Sequence, residues 1–176
     1  PADELDRAWK LTSEDRQRGR FRSIRHNIEA VLSLMGRQAS EGQIEKAVGH
    51  RSTFSKFSLR PKPEAAHALR DLRGRGIRVG LISDCSPETP PLWRSCPLTS
   101  LVDVAIFSSE VGLKKPEPAI YALALEKMGL GALDCLYVGD GGSAELTGAS
   151  KVGLRALLIE PQPETVVSGY GWEAES

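Results

Sequence analysis

Residues Cys135–Gly153, CLYVGDGGSAELTGASKVG, hold the pattern that decides the fold. The stretch opens on the apolar run Cys135–Val138, as a strand buried in a parallel sheet does. Gly139-Asp140-Gly141-Gly142 then turns the chain, and a helix is predicted over Ser143–Val152. Open α/β sheets meet their ligands at the C-terminal ends of the strands, so an acid in a glycine-rich turn at that point offers its charge to a ligand. A second acid, Glu145, follows in the helical segment.

Working outward, strand and helix patterns alternate on both sides. Downstream, Leu154–Ile159 reads as a fourth strand, followed by the polar tail Pro161–Ser176 with Tyr170 and Trp172. Upstream, Pro63 opens a helix with Ala65, Leu69 and Leu72 on one face, stopped by Gly74 and Gly76. Ile77–Ile82 is a strand ending in Ser83-Asp84-Cys85, and Leu101–Phe107 a strand ending in Ser108-Ser109. Lys114-Lys115-Pro116-Glu117-Pro118 leads into a helix with Tyr121, Ala124, Leu125 and Met128 on one side. Strands and helices in this alternation predict an α/β fold with a doubly wound parallel sheet.

Residues 1–60 read differently, as helix alone. Ile24, Ile28, Val31, Leu32 and Met35 recur at helical spacing until Gly36. Ser40 and Gln43 form a capping-box pattern, and Ile44, Ala47 and Val48 make a stripe running up to Gly49. Pro61-Lys62-Pro63 marks the boundary. The expected domains are thus a helical region over 1–60, an α/β core over 61–160 and a tail over 161–176.

Composition narrows the function classes. With 23 acids against 23 Lys and Arg, no basic field points to nucleic acid. No apolar run reaches the length of a membrane span, and the polar start PADELDRAWK is no signal peptide. Three scattered cysteines imply no disulfide framework and suit a reducing cytoplasm. The basic cluster Arg16–Arg25 admits an anion site but reads better as the solvated face of a helix or its connecting loop, and His26, His50 and His67 show no ligand spacing.

Each predicted strand end delivers polar chemistry to one rim of the sheet: Ser83, then Ser108 and Ser109 with Lys115 beyond, then Asp140. A hydroxyl, an ammonium and carboxylates together suit phosphoryl transfer, where carboxylates hold Mg²⁺ and the lysine neutralises phosphoryl oxygens. Taken singly, Ser83 reads as a turn residue, Lys115 as a solvated amine and Asp140 as a helix N-cap. Cys85 has neither an arginine nor a histidine placed to activate it and reads as packing.

Together, Leu81-Ile82-Ser83, Val111–Pro118 and Val138-Gly139-Asp140 with Glu145 resemble motifs two, three and four of the haloacid dehalogenase-like (HAD) hydrolase superfamily, over about residues 60–160. The helical first third is similar to the small cap such enzymes insert after their first motif. The resemblance implies that Ser83 hydrogen-bonds the transferring phosphoryl group and that Lys115 stabilises nucleophile and phosphate. It implies that Asp140 is the main acidic Mg²⁺ ligand and that Glu145, usually Asp, stands where a second metal-supporting acid does. Asp84 stands beside the phosphate position where Asn is usual. The activity implied is Mg²⁺-dependent hydrolysis of a small phosphomonoester through an aspartyl-phosphate.

One part of the pattern is missing. The first-motif D-x-D after an apolar strand is not in these residues; Asp3 and Asp6 are spaced D-x-x-D with no strand before them. In the family that strand is central, between those ending at Ser83 and Asp140. Its loss in mid-sheet would leave two edges unpaired. With Pro1 in place of Met and an abrupt tail, the expectation is a fragment of a longer enzyme, inactive by itself. The alternatives are a C–halogen hydrolase on the same fold, a non-catalytic HAD-like module, and a nucleotide-binding module. The last rests on Gly139-x-Gly141-x-x-Ala144 with Glu160 as a ribose acceptor. Substrate identity and oligomeric state are not legible.

Overall fold

A computed structural model describes residues 2–159. The tail over 161–176 and Glu160 lie outside the described residues. Everything up to residue 58 that is regular is helical: α1 (Ala2–Leu11), α2 (Ser13–Gln17), α3 (Ile24–Leu34) and α4 (Glu41–Ser58). The Ser40/Gln43 capping box forms in full, each side chain bonding the other's backbone N–H. α4 does not stop at Gly49 but runs nine residues further. A helix-interior glycine costs only about 0.5–1 kcal/mol, and the continued helix brings Ser55 into a buried contact with Glu88 at 3.1 Å.

The buried centre of this helical region is partly polar. Arg16 donates to Thr12 Oγ1 at 3.0 Å and Asn27 Oδ1 at 3.3 Å, and its guanidinium lies 4.3 Å from the Trp9 ring centre. The Arg16–Arg25 cluster is therefore not the uniformly solvated face its composition suggested: Arg16 is buried, and Arg18 reaches across the molecule. Arg25 pairs with Glu29, Glu41 and Glu45.

Past the proline boundary come α5 (Pro63–Gly74), β1 (Gly80–Ser83), α6 (Thr89–Trp93), β2 (Val104–Phe107), α7 (Ser108–Val111), α8 (Pro118–Met128), β3 (Leu136–Gly139), α9 (Glu145–Lys151) and β4 (Arg155–Leu158). The first two strands are shorter than predicted. Ile77–Val79 are consumed in leaving the Gly76 turn, where Ile77 N–H bonds Leu72 C=O at 3.0 Å, and Thr99–Leu101 form a 3₁₀ turn.

All pairing is parallel, as expected of strands joined by helical crossovers. Gly80–Ser83 pair with Val104–Phe107, and Leu136–Gly139 with Arg155–Leu158. The described residues form these as two separate pairs rather than one continuous sheet, with no ladder between them. α8 joins the pairs by packing on β1, β2 and α9. Its Ile120 and Tyr121 are fully buried with Ile106, Ala149 and Leu154, and this cluster is the core. No described helix is long and apolar enough to cross a membrane.

Candidate active site

The residues singled out in the sequence meet at the strand C-termini. Ser83 closes β1, half-buried, its hydroxyl bonded to no other described residue. Asp84 follows and accepts the Lys115 backbone N–H on Oδ1 at 3.0 Å, while its Oδ2 is buried with no hydrogen-bond partner among the described residues. Lys115 sits in the Gly112–Glu117 turn between α7 and α8, and its Nζ donates to Glu145 Oε2 at 2.6 Å. Glu145 Oε1 accepts the Gly141 N–H at 3.2 Å, in the loop that carries Asp140. One chain of contacts thus runs from the Ser83 strand end to Asp140, through Asp84, Lys115, Glu145 and Gly141.

Glu145 is the hub. It is 3% exposed, and Oε2 also accepts the Tyr137 hydroxyl at 2.7 Å. Burial pushes its carboxyl upward, but hydrogen bonds from Lys115 and Tyr137 and the lysine charge outweigh this and hold it below the ordinary carboxylate range. The Tyr137 phenol is pushed well up by burial and by the adjacent carboxylate. Tyr137 meets Tyr121 edge-on with ring centres 5.4 Å apart, and Tyr121 in turn donates to the Glu145 backbone carbonyl at 2.8 Å. At Gly148 an added Cβ would stand 2.6 Å from the Pro116 carbonyl and 2.7 Å from the Tyr121 hydroxyl. The close fit of α9 against the lysine turn thus depends on glycine.

Asp140 is exposed and differently placed. Its Oδ1 accepts the Gly142 N–H at 2.9 Å, leaving the second oxygen open. The predicted helix start at Ser143 gives way to a tight loop. Gly141, Ser143 and Ala144 all adopt positive φ (87°, 54° and 50°), and α9 begins only at Glu145. This curl folds Glu145 back under the loop. It also occupies the Gly141 and Gly142 N–H groups with carboxylates, the donors a pyrophosphate would use under the nucleotide-binding alternative.

The resemblance implies magnesium at these donors. Asp140 offers an open carboxylate oxygen, whereas both Glu145 oxygens are already engaged. Among the described residues no three His, Cys, Asp or Glu side chains stand together as a metal cluster. Among the described residues the donors would thus fit the ion through Asp140, with Glu145 behind it.

Two further contacts tie the helical region to the site loops. Glu88, beyond the Ser83 strand, accepts from Arg51 Nε at 3.0 Å and from Ser55. Arg18 bonds Gly112 and Glu117 at either end of the Lys115 turn. Tyr137 and Glu88 were not among the residues expected at the site, and Arg18 was expected on a solvated face. Only Tyr137 had a signal, since strand alternation sets it opposite Leu136 and Val138. Cys85 is buried 3.4 Å from Ser109 Oγ with its thiol pushed up by burial, as a packing residue would be. All three cysteines are free.

The model of the haloacid dehalogenase-like hydrolase family matches residues 4–153, and the chain belongs to that family. A phosphatase from Mycobacterium tuberculosis is 28% identical over 94% of this chain and 76% of its own. The rhythmically expressed gene 2 protein of Drosophila melanogaster is 33% identical over 58% of this chain. A glyceraldehyde 3-phosphate phosphatase from Methanothermobacter thermautotrophicus is 32% identical over 61% of it. The chain spans under half the length of these last two relatives, 41% and 48%. Among solved structures, a HAD family enzyme from Bacteroides thetaiotaomicron in its magnesium complex superposes with a TM-score of 0.67 at 16% identity, covering 86% of this chain and 76% of that one.

Proposed function

We propose that the protein acts as a Mg²⁺-dependent phosphatase on a small phosphomonoester, with residues 1–60 as its cap and 61–160 as its catalytic core. The observation that carries this reading is the contact chain that puts the Ser83 strand end, Lys115 and Asp140 on one rim. Phosphatases among the relatives support it.

In this reading the Ser83 hydroxyl, bonded to no other described residue, orients a phosphoryl oxygen. The Lys115 ammonium neutralises the charge that builds on the transferring group. Asp140 would hold Mg²⁺, and the ion when bound would supply further charge neutralisation. Glu145 does not reach the metal directly. It fixes Lys115 from one side and the Asp140 loop, through Gly141, from the other. The attacking carboxylate is not among these residues, so residues 1–176 alone are proposed to bind without turning over. The cap excludes water and selects the substrate.

The test is hydrolysis of p-nitrophenyl phosphate by the complete protein with Mg²⁺. Activity should be abolished by EDTA and by Asp140→Asn, with the fold retained. Activity that survives EDTA and requires a haloacid would move the assignment to C–halogen hydrolysis. No turnover of either substrate class would favour a non-catalytic module.

A further inference from the structure

The turn that carries Lys115 is gripped by a residue of the helical region. Arg18, just past the end of α2, donates one terminal nitrogen to the Gly112 carbonyl at 3.0 Å and to Glu117 Oε2 at 3.3 Å. Its other terminal nitrogen bonds Glu117 Oε1. The guanidinium thus spans the turn from its first residue to its last. Its Nε donates to Glu14 at 2.6 Å, and the second Glu14 oxygen accepts Lys114 Nζ at 2.7 Å. The charges thus run in a line, Glu117, Arg18, Glu14 and Lys114, and the Lys114 backbone N–H returns to Glu117 Oε2 at 3.5 Å. The neighbouring Gly19 lies against the Ser109 carbonyl with no room for a Cβ. On its inner side the turn is held by Asp84, which accepts the Lys115 N–H.

We propose that Arg18 is a positioning residue for Lys115: it sets the Gly112–Glu117 turn from the helical region and so fixes where the lysine amine is delivered. The role in phosphate handling rests on the reading of Lys115 given above, whereas the grip on the turn does not. A planar guanidinium presents donors in a fixed fork, and the flexible point charge of a lysine cannot span both acceptors. The helical region, whatever its part in choosing a substrate, therefore also shapes the catalytic rim.

Amide hydrogen exchange in the 176-residue chain tests the grip. Lys115 N–H, bonded to Asp84, and Glu117 N–H, bonded to Lys114 C=O at 2.9 Å, report on the turn, and Ile106 in the core is the reference. Arg18→Met should speed exchange at Lys115 and Glu117 by about tenfold and leave Ile106 unchanged, since local openings are independent of global unfolding. Arg18→Lys should recover little of this. In 1 M NaCl, where the Debye length is about 3 Å, wild type should shift toward the variant. If Arg18→Met fails to fold, Glu117→Gln disrupts the same grip from the turn side and should give the same pattern. Unchanged exchange at Lys115 and Glu117, or an equal rise at Ile106, would overturn the proposal. In the complete protein Arg18→Met should lower kcat for p-nitrophenyl phosphate more than it raises KM. An equal loss at every pH through KM alone would also count against it. A protein with no phosphatase activity that still shows the exchange pattern would sink the phosphatase reading and leave the grip standing.

Discussion

The β1–β2 and β3–β4 pairs match in length and direction, four residues against four in parallel, yet they live in opposite surroundings. Ile106 of β2 is 1% exposed beneath α8, while Leu136, Val138 and Leu157, on one face of β3–β4, are 54%, 45% and 51% exposed. The other face of β3 carries Tyr137 against Tyr121 and Glu145. Backbone pairing is thus settled by the crossover helices alone, whereas burial depends on what lies over each face. The candidate site straddles the two pairs, and the Lys115–Glu145 contact is a polar link between them.

That contrast can be broken first at its buried end. Ile106→Ala should destabilise by about 2–4 kcal/mol, the usual loss for a truncated, fully packed aliphatic side chain, measured by urea unfolding. Next is the link itself. Glu145→Gln removes the charge facing Lys115, and because the lysine keeps some access to water the loss should be about 2 kcal/mol, below the range for a wholly buried pair. This loss has a pH signature. The Glu145 carboxyl is depressed in the folded chain, so its stabilisation is complete above the ordinary carboxylate range and disappears as pH falls through its lowered value. The wild-type advantage over Glu145→Gln should therefore be full at neutral pH and shrink on acidification. Tyr137→Phe deletes one hydrogen bond to the same carboxylate and should cost about 1–2 kcal/mol. Val138→Ala, on the bare face, should change stability by no more than about 0.5 kcal/mol. A large loss there would mean that the face is covered in solution.

Much of this was readable in advance because it is local. Strand ends at Ser83 and Asp140, the Ser40 capping box and the α8 face around Tyr121 follow from periodicity and turn chemistry within a few residues. What escaped depends on tertiary neighbours. α4 passes through Gly49 because the contacts of its later turns outweigh one weak position. Nothing in GGSAE requires Ser143 and Ala144 to take positive φ, which non-glycine residues rarely do. That curl turns Glu145 from an outward acid into the buried partner of Lys115. Arg18 finds the lysine turn across 94 to 99 positions of sequence, a separation no local pattern encodes. Leu72 of α5, expected on a packed face, is 36% exposed; among the described residues α5 packs chiefly on the Thr99–Leu101 turn.

If an amine and an acid from separate strand pairs serve one bound phosphoryl group, phosphate should bind only with both in place. Calorimetric titration of inorganic phosphate into the 176-residue chain, with and without Mg²⁺, decides this. The expected result is Mg²⁺-dependent uptake by the wild type that is lost in both Lys115→Met and Asp140→Asn while both variants remain folded. Phosphate uptake that is indifferent to Mg²⁺, or equal in all three proteins, would contradict it.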